Sequence, residues 1–70
     1  MPIIRVEMWE GRSLEQKRRL ARALTDVLAE VVDCDPATVR VLIDDYAREN
    51  WAVGGVLQSD REAASPPASP

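Results

Sequence analysis

Residues 13–32, SLEQKRRLARALTDVLAEVV, decide the fold because they carry the pattern of one long amphipathic helix. Apolar side chains recur at three-to-four spacing along this stretch, and charged side chains fill the opposite side. The apolar stripe comprises Leu20, Leu24, Val27, Leu28 and Val31. Ser13 suits the N-cap position and Gln16 the capping-box position, so we expect a helix from about Leu14 to Val32.

A strand pattern lies on each side of this helix. Residues 2–9, PIIRVEMW, and residues 39–44, VRVLID, both alternate with the two-residue period of a strand. The side chains expected to face the helix are Ile4, Val6, Met8, Val39, Val41 and Ile43. The order strand, helix, strand predicts a β-α-β unit with parallel strands, a right-handed crossover and the helix on one sheet face.

The C-terminal third shows turn signals and then a loss of apolar residues. Asp35 and Pro36 suit the cap and first position of a short helical turn. The Gly54-Gly55 pair within an apolar run predicts a short hairpin. The ending AASPPASP has the composition of a disordered segment. We therefore predict one α+β domain at residues 2–58 and a flexible Ser/Pro/Ala-rich tail at residues 59–70.

The composition excludes several classes of protein. One cysteine excludes an internal disulfide framework, and the absence of histidine excludes the usual zinc sites. A net charge of −3 argues against a nucleic-acid partner. No apolar run approaches the roughly 18 residues of a membrane span, and no signal peptide is recognisable. We expect a cytoplasmic protein with neither a metal nor a nucleic-acid or membrane partner.

The size of the chain predicts self-association. A domain of 70 residues buries only about 60% of its unfolded surface, which leaves little free energy to offset the ordering of the chain. The helix covers one sheet face, so Ile3, Trp9 and Leu42 on the other face stay open in a single chain. Such a patch is unusual on a soluble monomer. We expect an oligomer.

Few side chains are candidates for a catalytic or binding role. Arg40 lies among apolar residues of the second strand, where it serves either a structural ion pair or a bidentate clamp for a carboxylate. Trp51 belongs either to the core or to a pocket wall. Asp44 and Asp45 point to opposite strand faces, which disfavours a catalytic dyad. Tyr46 is expected to be a packed or surface residue and not a proton donor. If the chain performs acid-base catalysis at neutral pH, the absence of histidine makes the N-terminal amine a strong candidate for the general base.

Four sequence features together resemble a known family. They are Met1-Pro2 opening a strand, EGRS at 10–13 followed by EQK at 15–17, VRVLI at 39–43, and Trp51-x-x-Gly54-Gly55. At these spacings the chain resembles the 4-oxalocrotonate tautomerase family from about Pro2 to Gln58. The resemblance implies a β-α-β fold with a short hairpin, assembled as dimers and usually as a hexamer built from three dimers.

The resemblance also implies a site and a reaction. Pro2 becomes the catalytic base once Met1 is removed, Arg12 and Arg40 bind the substrate, and Trp51 forms a pocket wall, with groups converging from more than one subunit. The implied enzyme is a cofactor-independent isomerase that interconverts the keto and enol forms of a small anionic 2-hydroxydienoate or 2-keto acid. Trp9 stands where the family commonly has an aliphatic residue, which reshapes the pocket.

Two alternative functions fit the same sequence. One is a non-catalytic subunit or binding protein that keeps the fold. The other is a pathway-specific enzyme that uses the same proline on another metabolite. Homo-oligomers and hetero-oligomers both stay open at this point.

Overall fold

The computed structural model describes residues 1–64, which form a β-α-β unit followed by a hairpin and a short helix. The elements are β1 (Ile3–Trp9), α1 (Leu14–Val32), β2 (Arg40–Tyr46), β3 (Ala52–Val53), β4 (Val56–Leu57) and α2 (Gln58–Ala64). Single-turn 3₁₀ helices precede and follow β2, at Pro36–Thr38 and Arg48–Asn50. The predicted α+β class and β-α-β order are confirmed.

Local hydrogen bonds fix both ends of α1 as the sequence predicts. The Ser13 hydroxyl accepts from the Gln16 backbone N–H at 3.1 Å, and the Gln16 side chain accepts from the Ser13 N–H at 2.9 Å. This reciprocal capping box satisfies two of the helix's free donors. The helix ends at Asp33, which adopts a left-handed φ of 55°. Asp35 then caps the turn that Pro36 begins, by accepting from the Ala37 N–H at 3.0 Å.

The sheet is a parallel pair whose register runs from Ile3 opposite Arg40 to Trp9 opposite Tyr46. The predicted helix-facing residues of both strands are half-buried. The apolar stripe predicted for α1 includes two residues that do not pack on the sheet: Val27 is 60% exposed and Val31 is 76% exposed. Two strands lie only about 4.8 Å apart, so they cover a narrow helix face that Leu20, Leu24 and Leu28 occupy.

The predicted hairpin is present, and a helix follows it. Gly54 and Gly55 have φ values of 60° and 82°, and two successive positive φ values are what the tightest hairpin turn requires. Gln58–Ala64 is helical, which differs from the expected start of a flexible tail at residue 59. The helix is held in place because the Gln58 N–H donates to the Trp51 carbonyl at 2.7 Å. Residues 65–70 lie outside the described residues, so their predicted flexibility stays a prediction.

No residue between 1 and 64 is fully buried, and this part of the chain has no closed core. Large apolar side chains stand open on both the sheet and the helix: Ile3 is 58% exposed, Leu42 is 42% exposed and Leu14 is 63% exposed. On the sheet face opposite α1, Ile3 and Leu42 are therefore uncovered in a single chain, as the sequence predicts. Within residues 1–64, no helix combines the length and the apolarity that crossing a membrane requires.

Candidate active site

Pro2 and Arg40 lie together at the N-terminal end of the sheet. The Arg40 backbone N–H donates to the Pro2 carbonyl at 3.0 Å, which continues the ladder between the strands. The Arg40 guanidinium contacts the sulfur of Met1. Arg40 is exposed, and it forms no ion pair with any residue in 1–64. The structural ion pair considered from the sequence is therefore not formed in this part of the chain, and the guanidinium is available to an anion.

Arg12 and Trp51 lie at the opposite end of the sheet. Trp51 packs edge-on against Trp9 at 6.0 Å between ring centroids and against Tyr46 at 5.6 Å. Trp51 is half-buried, so it packs against its neighbours and still presents surface. Arg12 follows Gly11, whose φ of 119° turns the chain away from β1. Arg12 is exposed and makes no ion pair with the residues that the structure describes.

These two groups of residues are far apart within one chain. β1 has seven residues, and at about 3.3 Å of rise per residue Pro2 and Trp9 lie roughly 23 Å apart. One chain therefore holds the predicted site residues in two separate groups, which we call half-sites. The half-site at the start of β1 carries Pro2 and Arg40, and the half-site at the end of β1 carries Arg12 and Trp51.

The aromatic half-site is more covered than the sequence predicts. Trp9 was expected on the open sheet face, but it is half-buried, and its indole N–H is enclosed without a hydrogen-bond partner among the described residues. Trp51 covers one side of Trp9, and the Arg48 guanidinium lies 5.0 Å from its ring centroid. The segment that follows β2 therefore folds back over the end of β1.

A cleft opens beside Arg12, between β1 and the start of α1. Its volume is about 370 Å³, and its lining residues are Val6, Met8, Arg12, Gln16, Lys17 and Leu20. Lys17 forms an ion pair with Asp45. The cleft therefore combines apolar walls with the positive charge of Arg12.

Asp45 points to the helix side of the sheet, where it pairs with Lys17. Asp44 lies on the other face, as the sequence predicts, so the two neighbouring carboxylates do not form a dyad.

Tyr46 is packed between the aromatic cluster and an acidic pair. Its hydroxyl donates to the Glu7 carboxylate at 3.4 Å. The negative charge of Glu7 is the largest cause of a raised Tyr46 pKa; burial and Asp44 also raise it, and Arg5 lowers it. The phenol therefore stays protonated, which suits a hydrogen-bond donor and does not suit a base.

Arg48 and Glu62 form contacts at this end of the sheet that no clear pattern in the sequence predicts. Arg48 donates from Nη1 to the Glu10 carbonyl at 3.0 Å and from Nε to Glu62 at 3.2 Å. These partners lie 38 and 14 residues away in the sequence, so no local pattern links them. The spacing of Gln58 and Glu62, four residues apart, was the one available indication that this segment is helical.

The described residues 1–64 contain no cluster of three or more His, Cys, Asp or Glu side chains that could hold a metal ion. The chemical resources at the two half-sites are instead guanidinium groups, indole rings and the N-terminal segment. Two separated guanidinium groups are suited to anions with more than one carboxylate or oxyanion.

Comparison with known proteins places the chain in a family. A family model described as "Tautomerase enzyme" matches residues 2–61. The chain is 45% identical over 56 residues to a 2-hydroxymuconate tautomerase of Comamonas testosteroni, covering 80% of this chain and 89% of that protein. The chain belongs to the tautomerase family and is therefore an enzyme of an isomerase class.

Solved structures share the fold. A chain of the 4-oxalocrotonate tautomerase isozymes of Methylibium petroleiphilum matches with a TM-score of 0.86 and 38% identity, covering 91% of this chain and 100% of that one. A chain of the heterohexameric 4-oxalocrotonate tautomerase of Chloroflexus aurantiacus matches with a TM-score of 0.79 and 42% identity, covering 86% and 97%. The resemblance found in the sequence is confirmed.

The titration of Tyr46 tests the electrostatics of this site. Tyr46 is the only tyrosine, so the tyrosinate absorbance of the folded protein reports on it alone. We expect a midpoint above the ordinary pKa of 10.0 because Glu7 opposes the tyrosinate. Glu7→Gln should lower the midpoint, and Arg5→Gln should raise it. A Glu7→Gln variant with an unchanged or higher midpoint contradicts the assignment.

The same shift predicts how stability depends on pH. Because folding raises the pKa of Tyr46, its contribution to the free energy of unfolding is complete below the unfolded pKa of 10.0 and is lost as the pH rises through the folded pKa. Urea unfolding at a series of alkaline pH values measures this loss, and a Tyr46→Phe variant should lack it.

Proposed function

We propose that this chain is a cytoplasmic, cofactor-independent isomerase similar to 4-oxalocrotonate tautomerase. It interconverts the keto and enol forms of a small 2-hydroxydienoate or 2-keto acid, with Pro2 as the general base. The observation that carries the proposal is the pair Arg12 and Arg40, which have no ion-pair partner among the described residues and match the family's two substrate-binding arginines. The 45% identity to a 2-hydroxymuconate tautomerase supports a dienoate substrate.

The Pro2 amine must be neutral to act as the proposed general base, because only the unprotonated nitrogen can accept a proton. A free α-amino group titrates near 7.7–8.0 in model peptides, and the secondary amine of proline is more basic. Removal of Met1 releases the Pro2 amine, whose pKa must then fall for it to accept a proton at neutral pH. The nearby positive charge of Arg40 and desolvation in the assembled pocket both act in that direction. The same arginine therefore attracts the anionic substrate and keeps the base deprotonated.

The reaction transfers one proton within the substrate and needs no oxidant or reductant. The neutral Pro2 nitrogen takes a proton from the dienol hydroxyl, and the electron pair of that O–H bond forms the carbonyl. The double bonds shift, and the prolinium returns its proton to a carbon of the substrate. Arg12 and Arg40 hold the carboxylate ends and stabilise the charge that develops on oxygen.

The proposed site needs more than one chain. Arg12 and Trp51 lie at the far end of β1, whose length separates Pro2 from Trp9 by roughly 23 Å, so in the proposed site a second chain supplies them. We propose a homo-oligomer built from dimers, with a hexamer as its complete form. A hetero-oligomer is the alternative, and the similar protein of Chloroflexus aurantiacus is described as a heterohexamer. Exposed apolar side chains such as Ile3, Leu42 and Val31 supply surface for the contacts.

Replacing the proposed base tests the mechanism. Pro2→Ala should lower kcat on 2-hydroxymuconate by about 10²-fold or more, because positioned acid-base catalysis is worth about 10²–10⁴-fold. Pro36→Ala, which changes an exposed proline of the turn before β2, is the matched control and should keep its rate. Ultraviolet assays measure the rates, and mass spectrometry should find Met1 absent from active protein. Full activity in protein that retains Met1 contradicts the proposal.

Replacing Arg40 tests the substrate clamp. Arg40→Ala should cost about 2–4 kcal/mol of transition-state stabilisation on a dicarboxylate, because bidentate charged hydrogen bonds are lost. Arg40→Lys should recover little, since it keeps the charge and loses the planar fork. Arg19→Ala, which removes an exposed arginine of α1, is the control. An Arg40→Ala protein that is folded and keeps the original kcat/KM shows that the assignment is wrong.

Dilution tests whether activity depends on assembly. We expect light scattering to show an oligomer at high concentration, and specific activity to fall together with particle mass as the protein is diluted. A single folded 7.8 kDa species with full activity contradicts the proposed assembly. A stable oligomer that lacks turnover on 2-hydroxymuconate and phenylenolpyruvate indicates one of the alternative functions.

A further inference from the structure

We infer that Arg48 is a positioning residue of the proposed active site, which it serves by fixing the turn that carries Arg12. The inference rests on the proposed function for its catalytic consequence. Its structural part rests on the contacts of Arg48 alone. No motif of the sequence and no part of the proposed mechanism assigns a role to this arginine.

Arg48 makes three contacts with two other segments of the chain through one planar group. Nη1 donates to the Glu10 carbonyl at 3.0 Å, Nε donates to Glu62 at 3.2 Å, and the guanidinium lies 5.0 Å from the Trp9 ring centroid. A guanidinium donates in its own plane while its flat face packs on an aromatic ring, so the three contacts are compatible. A lysine ammonium at this position cannot reproduce them.

The hydrogen bond from Arg48 to the Glu10 carbonyl fixes the backbone two residues before Arg12. The Glu10 N–H donates to the Tyr46 carbonyl at 2.8 Å, and its own carbonyl accepts from Arg48, so both backbone polar groups of Glu10 are held. Gly11 follows with a φ of 119° and leaves open space around its Cα. Arg12 itself is exposed. The direction in which Arg12 leaves the sheet therefore depends on the fixed position of Glu10.

Glu62 connects the same network to Trp51. Its carboxylate accepts from Arg48 and, at 3.0 Å, from the Gln58 side chain. Gln58 also donates its backbone N–H to the Trp51 carbonyl at 2.7 Å. The Arg48 and Glu62 side chains are 37% and 47% exposed, and an ion pair of that exposure adds little stability. The contribution of the pair is therefore one of geometry, since it joins α2, which holds the Trp51 carbonyl, to Glu10, two residues before Arg12.

A double-mutant cycle separates positioning from general stabilisation. If Arg48 acts through Arg12, Arg48→Ala should lower kcat/KM about 10-fold in the original protein and less than about 2-fold when Arg12 is already alanine. Arg48→Lys should recover little of the loss. Arg61→Ala is the matched control, because Arg61 also binds a backbone carbonyl, that of Val53 at 2.9 Å, without touching Trp9 or Glu10. That control should keep kcat/KM within about 2-fold.

A second measurement does not depend on catalysis. Amide order parameters from NMR relaxation should fall at Gly11 and Arg12 in Arg48→Ala and stay unchanged at Ser13, which its own capping box holds. Glu62→Gln should give a smaller change in the same direction, and it replaces Arg48→Ala if that variant does not fold. Unchanged order parameters at Gly11 and Arg12 overturn the inference, as do equal losses of kcat/KM in the two backgrounds. If the original protein has no turnover, the proposed function fails while the NMR result still decides the role of Arg48.

Discussion

The parallel pairing of β1 with β2 fixes which of the proposed site residues lie at the same end of the sheet. Its register sets Ile3 opposite Arg40 and Trp9 opposite Tyr46. Parallel strands bring like ends together, so Pro2 and Arg40 share one end and the aromatic cluster occupies the other. A one-residue slip would turn Arg40 toward the helix and would move it away from the open face. The two half-sites therefore follow directly from this register.

The same pairing explains why one chain is incomplete. A sheet of two strands gives α1 a narrow surface, and among residues 1–64 no side chain is fully buried. The helix consequently leaves Val27 and Val31 exposed, and the opposite sheet face leaves Ile3 and Leu42 exposed. Burial of apolar area is the main favourable term in folding. The surfaces that complete the fold in the proposed assembly are thus the same ones that bring one half-site to the other.

Local signals in the sequence predicted the local structure well. Ser13 and Gln16 marked the start of α1, Asp35 and Pro36 marked the next turn, and Gly54-Gly55 marked the hairpin, because each depends on neighbours a few residues away. The β-α-β order followed from hydrophobic period alone. The identities of Pro2, Arg12, Arg40 and Trp51 as site residues came from the family resemblance, and their roles stay predictions.

Features that depend on distant contacts were missed. The helix Gln58–Ala64 forms where composition suggested a tail, because Arg48 and Trp51 hold it from outside. The packing of Arg48 on the Trp9 ring was likewise not predicted, since Arg48 belongs to a different segment of the chain. The exposure of Val27 and Val31 depends on the width of the sheet, which the helix pattern does not contain. In each case the deciding interaction joins residues that no short pattern connects.

The central claim is that one active site combines Pro2 of one chain with Arg12 of another. Mixing inactive Pro2→Ala protein with inactive Arg12→Ala protein, after unfolding and refolding together, tests it most directly. Random assembly of the two variants should restore about a quarter of the original number of complete sites, because each site draws its two residues from different chains of a symmetric oligomer. Refolded mixed oligomers that mass spectrometry verifies, yet that show no activity above the separate variants, contradict the account.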